Sequence, residues 1–298
     1  MNDTLCRYQS EIGNLFIMSN YSPNFQNAED SGQSQVSGRL GRWETRLAKN
    51  SNEVRAAQKL RFDVFRNEFP ASTGTINNDA EIDCDAHDDR CDHLLLLDSM
   101  WPENNGIIGT QRFMTGNSSN NANAFYSSSE FNLVPLLVRQ HEKTFMELGR
   151  SCIHPEYRNK RTMELLWHGT WDYALKNQVD VMFGCASFPT IDAQSIHAEL
   201  EFLHNTNPAN GEWDVSAHKG DTIELSSVRS EIDSQRSLLR NLPPLIKGYL
   251  RLGARFSKHA VIDFEFGTTD IMVILPVKDI NPKYVSYYGA TADRHAIQ

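Results

Sequence analysis

A carboxylate and a guanidinium stand three residues apart, at Glu147 and Arg150, in a segment that reads as a strand. In a cleft, a carboxylate can accept a proton from a nucleophile and a guanidinium can bind an anionic group. Strict alternation would place Glu147 and Arg150 on opposite faces. They converge only if the strand bulges, and Gly149 is where a bulge would fit; a bulge there would also free a backbone N–H. The alternative is an ordinary ion pair that holds the sheet.

Basic side chains gather in two patches that suit a phosphate or an acidic partner. The first precedes a predicted helix and consists of Arg158, Lys160 and Arg161. In the second, Lys247, Arg251 and Arg255 recur every four residues, which aligns them on one face for as long as the helix lasts. The alternative for both patches is a solvated surface.

Hydrophobic periodicity and turn residues predict the elements that position these groups. The predicted strands are residues 43–48, 93–98, 106–115, 145–153, 179–186, 261–266 and 271–277. The predicted helices are residues 50–66, 162–176, 192–204 and 245–252. This alternation predicts a mixed α/β sheet flanked by helices, without the regular βαβ repetition of a doubly wound fold.

The polar segment 1–39 is rich in Asn, Ser and Gln and is predicted to be a disordered tail. Residues 40–298 are predicted to form one domain, in which the polar segment 205–242 is a lid or insertion. No apolar run approaches the roughly 20 residues that a membrane-spanning helix needs.

Composition narrows the class of protein. The chain has 298 residues and a net charge of −9, which argues against a general nucleic-acid binder. Five cysteines without CxxC spacing favour neither a disulfide framework nor a zinc site, and fit a reducing cytoplasm. We expect Cys152 and Cys185, in apolar strand contexts, to be core thiols rather than nucleophiles. We expect no metal and no cofactor.

Seven segments taken together resemble the ornithine N-acyltransferases of ornithine-lipid synthesis. They are residues 60–65 (LRFDVF), 91–94 (CDHL), 108–112 (IGTQR), 147–159 (ELGRSCIHPEYRN), 183–189 (FGCASFP), 247–254 (KGYLRLGA) and 268–270 (TTD). The family is similar to acyl-homoserine lactone synthases and to the wider Gcn5-related N-acetyltransferase (GNAT) superfamily. The resemblance implies a GNAT-like twisted mixed sheet in which two central strands, 145–153 and 180–186, splay to admit a pantetheine arm.

The resemblance also implies an amino-acid pocket. Ornithine carries two ammonium groups, which suit acidic side chains, and one carboxylate, which suits a forked guanidinium. The candidate substrate-binding residues are Arg61, Phe65, Asp88 and Arg112, with Asp88 and Arg112 as the preferred pair. Trp43 and Phe113 are further candidates for the wall of an acyl channel. The alternatives are that the acidic loop, which carries Asp83, Asp85, Asp88 and Asp89, is merely solvated and that the aromatic residues are plain core.

The sequence departs from the superfamily pattern in one segment that bears on the identity of the acyl donor. The superfamily usually carries glycines where a central strand gives way to a helix, and residues 158–163 (RNKRTM) lack them. Those glycines let backbone amides approach the pyrophosphate of coenzyme A. Carrier-protein pantetheine has no pyrophosphate, so their loss favours acyl carrier protein.

The resemblance therefore implies transfer of a 3-hydroxy fatty acyl group from acyl carrier protein to the α-amine of L-ornithine, giving lyso-ornithine lipid. Glu147 would take the amine proton, and the two basic patches would receive the carrier. Transient contact with a membrane surface is compatible with this product. The alternatives are another amine acceptor, of the glycine or homoserine lactone type, or a non-catalytic acyl-carrier or lipid-binding module.

Overall fold

The computed structural model describes residues 36–68, 76–77, 81–117, 124–226 and 232–289. Its strands are β1 (Val36–Leu40), β2 (Trp43–Leu47), β3 (Ile76–Asn77), β4 (Ile82–Asp83), β5 (Asp92–Asp98), β6 (Ile107–Gly116), β7 (Phe131–Asn132), β8 (Phe145–Ile153), β9 (Val181–Phe188), β10 (Ser216–Ala217), β11 (Thr222–Glu224), β12 (Arg255–Asp263) and β13 (Thr268–Pro276). Its α-helices are α1 (Ser51–Glu68), α2 (Val134–Arg139), α3 (Lys160–Lys176), α4 (His197–Thr206), α5 (Ile232–Asn241), α6 (Pro244–Leu252) and α7 (Pro282–Tyr288).

Nine strands form one mixed sheet in the order β1-β2-β5-β6-β8-β9-β13-β12-β11. Neighbouring strands pair antiparallel except β8 and β9, which are parallel and central. The predicted fold class, a mixed α/β sheet flanked by helices, is confirmed. None of the helices in the described part of the chain is long and apolar enough to cross a membrane.

The apolar run Leu94–Leu97 in β5 is buried on both faces of the sheet. Successive side chains of a strand point to opposite faces. Leu94 and Leu96 belong to the same core cluster as residues of α3, whereas Leu95 and Leu97 pack with residues of α1. Helices α1 and α3 therefore cover opposite faces of the sheet.

The boundaries of α1 follow from its sequence. Asn50 Oδ1 accepts a hydrogen bond from the Glu53 backbone N–H at 3.1 Å, as a helix N-cap does. The predicted helix start at Asn50–Ser51 is confirmed, and the helix continues two residues beyond the predicted Arg66.

The helix predicted from residue 192 begins at His197, and two further differences from the predicted boundaries change how the sheet is built. The predicted tail 1–39 overlaps β1, which begins at Val36 and pairs with β2; residues 1–35 of that tail lie outside the described residues. Strand β12 begins at Arg255, six residues before the prediction, and pairs with β13.

The predicted lid or insertion at 205–242 is built into the fold where it is described. Strand β11 pairs with β12 at the edge of the sheet, and β10 pairs with β7. Residues 227–231 of this segment lie outside the described residues.

Candidate active site

The central strands β8 and β9 run together and then separate. They pair in parallel over three residues only, from Phe145 opposite Val181 to Glu147 opposite Phe183. A cavity of about 490 Å³ opens beyond that point, with walls from both strands. The predicted splayed strand pair is confirmed.

Gly184 lies where the strands part. A Cβ at this position would lie 2.4 Å from the backbone oxygen of Leu148, and its φ of +156° is one that L side chains rarely adopt. Glycine therefore allows the close approach of the two backbones at the floor of the opening.

A bulge in β8 brings the predicted catalytic pair together. Gly149 is opposite Arg112 of β6, and Cys152 is opposite Thr110, so Gln111 alone faces two residues of β8. Glu147 and Arg150 both line the cavity as a result. The bulge that their convergence requires is present, and the residue with positive φ is Arg150, at +49°, rather than Gly149. Such a conformation is uncommon outside glycine and is found at functional sites.

The Glu147 carboxylate is held by the turn that follows residue 125. It accepts hydrogen bonds from the backbone N–H groups of Tyr126 and Ser127, each at 2.7 Å, and from the Ser127 hydroxyl. Burial raises the pKa of Glu147, and these hydrogen bonds counteract part of that rise. The carboxylate is thus fixed in position and more basic than an exposed one, as a proton acceptor should be.

The Arg150 guanidinium is held between two aromatic rings. Its central carbon lies 4.7 Å from the ring centroid of Tyr126 and 4.5 Å from that of Phe266. Its nitrogens approach carboxylate oxygens of Asp83 at 3.3 Å and Asp85 at 3.2 Å. The side chain is therefore rigid and stands at the cavity wall.

Three aspartates of the acidic loop are neutralised by arginines rather than solvated, whereas Asp89 is exposed. Arg61 pairs with Asp83 at 2.7 Å and with Asp88 at 2.8 Å. Arg112 pairs with Asp85 at 2.7 Å and with Asp88 at 2.9 Å. Although burial alone would raise it, the pKa of Asp88 is held well below its usual range by Arg61 and Arg112.

Two of the four predicted substrate-binding residues line the cavity, and the other two lie behind its wall. Phe65 and Arg112 line the cavity, whereas Arg61 and Asp88 lie behind it in the arginine–aspartate network. Direct contact of Arg61 and Asp88 with a substrate stays a prediction, and the contacts present give them a role in holding Arg112.

Helices supply part of the apolar lining of the cavity. Five residues of α3 and α6 share this lining: Met163, Leu166, Trp167, Leu245 and Tyr249. Sequence reasoning missed them because apolar residues at helical spacing look like ordinary core. Neither Trp43 nor Phe113 lines the cavity, so both are wrong as channel walls; Phe113 packs on Tyr173 in the core.

The first basic patch lies at the end of the cavity near α3. Arg158 lines the cavity and also pairs with Glu68. The backbone N–H groups of Arg161 and Thr162 donate to Asn159 Oδ1 at 3.0 and 3.2 Å. These two backbone N–H groups are therefore used in the helix cap. Lys160 is exposed and lies 3.5 Å from Glu164.

The second basic patch is split by the end of α6. Lys247 and Arg251 lie on the helix, which ends at Gly253 with φ +95°. Arg255 lies in β12 and pairs with Asp279 at 3.1 Å. The predicted alignment on one face therefore applies to Lys247 and Arg251 and stops before Arg255, because the left-handed glycine turns the chain first.

Neither strand cysteine is poised for nucleophilic attack. Burial raises the pKa of the Cys152 thiol to about 12 and that of Cys185 well above its ordinary value. A thiolate is the reactive form, so both side chains are inert at neutral pH, as expected from the sequence.

Comparison with known proteins decides the family. The acetyltransferase (GNAT) domain family matches residues 60–168. A protein of Agrobacterium fabrum (strain C58 / ATCC 33970), named L-ornithine N(alpha)-acyltransferase, is 44% identical over 96% of this chain and 98% of its own length. The chain belongs to the L-ornithine N(alpha)-acyltransferase family.

A second member of the L-ornithine N(alpha)-acyltransferase family, from Brucella abortus (strain 2308), is 43% identical over 89% of this chain and 95% of its own length. Among solved structures, an N-acyl amino acid synthase from uncultured soil microbes aligns with 84% of this chain and 95% of its own. Its identity is 11% and its TM-score 0.41, which is too low to support an argument. The cavity at the parted strands is therefore the candidate active site on the strength of its own geometry.

Proposed function

We propose that this protein transfers a 3-hydroxy fatty acyl group from acyl carrier protein to the α-amine of L-ornithine, giving lyso-ornithine lipid. The names of its family members support the reaction and the acceptor. The observation that carries the proposal is the cavity between β8 and β9, in whose wall Glu147 and Arg150 converge. The fixed carboxylate of Glu147 suits the amine of an amino acid, and the fixed guanidinium of Arg150 suits its carboxylate. The apolar lining beside them suits a fatty acyl chain.

The proposed chemistry is direct transfer between two bound substrates. The neutral amine of ornithine attacks the thioester carbonyl, so that a C–N bond forms and the C–S bond then breaks. Glu147 accepts the amine proton, which finally passes to the departing pantetheine thiolate. No acyl-enzyme is involved, since the nearby Cys185 thiol stays protonated.

Arg112 and Arg150 are proposed to bind the ornithine carboxylate. Both line the cavity, and both belong to the buried network with the aspartates of the acidic loop. A guanidinium can offer further N–H donors to a second carboxylate while it keeps the first. This would place the α-amine near Glu147, on the same strand as Arg150.

The carrier-protein donor is supported by the start of α3. Backbone N–H groups at this point are the ones that a pyrophosphate would need, and two of them are bonded to Asn159. We propose that Arg158, Lys160 and Arg161, with Lys247 and Arg251 of α6, receive the acidic carrier. The product is an amphiphile, so we further propose a cytoplasmic protein that contacts the membrane surface transiently.

The proposal is tested with purified protein, 3-hydroxyacyl carrier protein and candidate amines, with the products identified by mass spectrometry. The expected product is an ornithine acylated at the α-nitrogen, formed faster from the carrier-protein thioester than from the coenzyme A thioester. Acylation of glycine or homoserine in preference to ornithine would overturn the acceptor. Faster reaction with the coenzyme A thioester would overturn the donor.

A further inference from the structure

The cavity wall on the β9–β13 side carries acidic groups that the proposed reaction has not yet used. Asp270 of β13 is 5% exposed, lines the cavity, and stands opposite Ser187 of β9 in the strand register. Asp263, at the end of β12, lines the same region. Behind them, Glu130 accepts a hydrogen bond from the Cys185 thiol at 3.4 Å.

These carboxylates form a tight group. Oxygens of Glu130 and Asp270 and the Cys185 sulfur all lie within 4.8 Å of one another. Asp270 accepts a hydrogen bond from the Thr268 hydroxyl at 2.8 Å, which fixes its orientation without neutralising its charge. Burial and the mutual repulsion of the two carboxylates raise the pKa of Glu130, and burial raises that of Asp270.

These carboxylates differ from those of the acidic loop in that they have no ion-pair partner among the described residues. Asp83, Asp85 and Asp88 each form ion pairs with arginines. Among the described residues, no lysine or arginine nitrogen lies within 4.0 Å of a carboxylate oxygen of Glu130, Asp263 or Asp270. Arg150 on the same wall lowers the pKa of Asp270 but forms no ion pair with it. A buried carboxylate without a paired cation is costly, and a cationic ligand would offset that cost.

The group also lies close to the residues proposed to handle the reacting amine. Ser127, which holds Glu147 by two hydrogen bonds, also interacts with the Cys185 thiol. Glu147, Ser127, Cys185 and Asp270 thus follow one another along the wall, and Glu130 lies behind them. A short diamino acid whose α-amine is at Glu147 would direct its distal end toward Asp270.

We propose that Asp270, backed by Glu130, binds the distal ammonium group of the acceptor and selects a diamino acid over an amino acid with an uncharged side chain. This inference rests on the proposed function, because it assumes that the acceptor occupies this cavity. Asp270 and Glu130 act in recognition, and the proton transfer stays with Glu147.

The test compares two acceptors of equal length, ornithine and norvaline, the latter lacking only the distal amine. For the wild type we expect kcat/KM to be at least tenfold higher with ornithine. In Asp270→Asn that preference should fall to near unity, because ornithine loses its ion pair and norvaline loses nothing. Glu130→Gln should shift the preference in the same direction and keeps the test open if Asp270→Asn does not fold.

The matched control is Glu265→Gln, an exposed carboxylate on the turn between β12 and β13 that does not line the cavity. It should leave the preference unchanged. An equal loss for both acceptors in Asp270→Asn would overturn the proposal and point to a catalytic role instead. Activity that is abolished by a chelator and restored by Zn²⁺ would also overturn it, because the group would then hold a metal. A wild type that acylates neither acceptor would defeat the proposed function itself.

Discussion

At the residue scale, the candidate active site consists of side chains whose conformations are fixed before any substrate binds. Glu147 is held by the turn at Tyr126–Ser127, and Arg150 is held between two rings and two aspartates. Fixed groups lower the cost of reaching attacking geometry. The positive φ of Arg150 is the conformational cost of that arrangement.

Replacement of Glu147 by glutamine tests the proton acceptor. We expect kcat to fall by roughly 10²- to 10⁴-fold, the usual contribution of a general base. One oxygen becomes an amide that faces the Tyr126 N–H, so the free energy of unfolding should fall by about 1–3 kcal/mol. Ser127→Ala is the control: it removes one hydrogen bond to Glu147 but keeps the carboxylate, and kcat should fall by less than about tenfold. Single-turnover amide formation checks both, and equal losses in the two variants would contradict the role.

The pH dependence of stability tests the buried charge of Asp270. Burial raises the pKa of Asp270 to about 6 in the folded protein, from 3.8 as an ordinary value. Ionised Asp270 therefore destabilises the ligand-free fold above pH 6, and this cost disappears as the pH falls below about 4. Asp270→Asn should raise the free energy of unfolding by about 3 kcal/mol at pH 8 and leave it nearly unchanged at pH 4. Urea titrations at both pH values check this, and a loss of stability at pH 8 would contradict it.

At the scale of elements, the site is produced by one departure from regular pairing in each central strand. Strand β8 bulges opposite Gln111, and β9 leaves β8 at Gly184. The sequence allowed both strands to be predicted from their apolar residues, and it marked Gly149 as the position where a bulge would fit. The sequence did not mark Asp270 as a site residue, because a single acidic residue in a strand forms no recognisable motif. Only the strand register, which places Asp270 beside β9, shows that it faces the cavity.

The helical spacing of apolar residues did not show whether they line a cavity or pack in the core. The apolar residues of α3 and α6 that line the cavity, such as Trp167 and Tyr249, could not be distinguished from core residues without knowing that the strands beneath them part. The sequence analysis predicted Arg61, Asp88 and Arg112 as separate substrate ligands and did not predict that they pair with one another. Its mutual pairing depends on the loop path between α1 and β5, which the sequence does not specify.

Replacement of Gly184 by alanine tests the parting of the strands. The new Cβ would lie 2.4 Å from the Leu148 backbone oxygen, so one strand must shift. We expect a loss of about 1–3 kcal/mol in the free energy of unfolding and a lower rate of acyl transfer. Gly248→Ala is the control, because nothing lies within 4 Å of its added Cβ and alanine favours a helix. Equal stability of Gly184→Ala and the wild type in urea titrations would contradict the close approach.

At the scale of the whole molecule, an acidic protein presents basic side chains around one end of its cavity. The net charge is −9, yet Arg158 lines the cavity and Lys160 and Arg161 follow it at the start of α3. Helix α6, which carries Lys247 and Arg251, adds apolar lining to the same cavity through Leu245 and Tyr249. This distribution suits a partner that is itself strongly acidic.

Charge reversal at this end of the cavity tests the docking of the carrier. Arg161→Glu and Arg251→Glu should each raise the KM for acyl carrier protein several-fold at low salt, with kcat at saturation little changed. The difference from the wild type should shrink as salt is added. Lys59→Glu on α1, away from the cavity lining, is the control. An unchanged KM in both variants would place the carrier elsewhere.

The most direct measurement is a crystal structure of the protein with N-acylornithine, the expected product. The account predicts that the acyl chain lies between α3 and α6, that the amide nitrogen lies within hydrogen-bond distance of Glu147, and that the ornithine carboxylate contacts Arg112 or Arg150. A product bound outside the opening between β8 and β9, or with its amide remote from Glu147, would contradict the central claim.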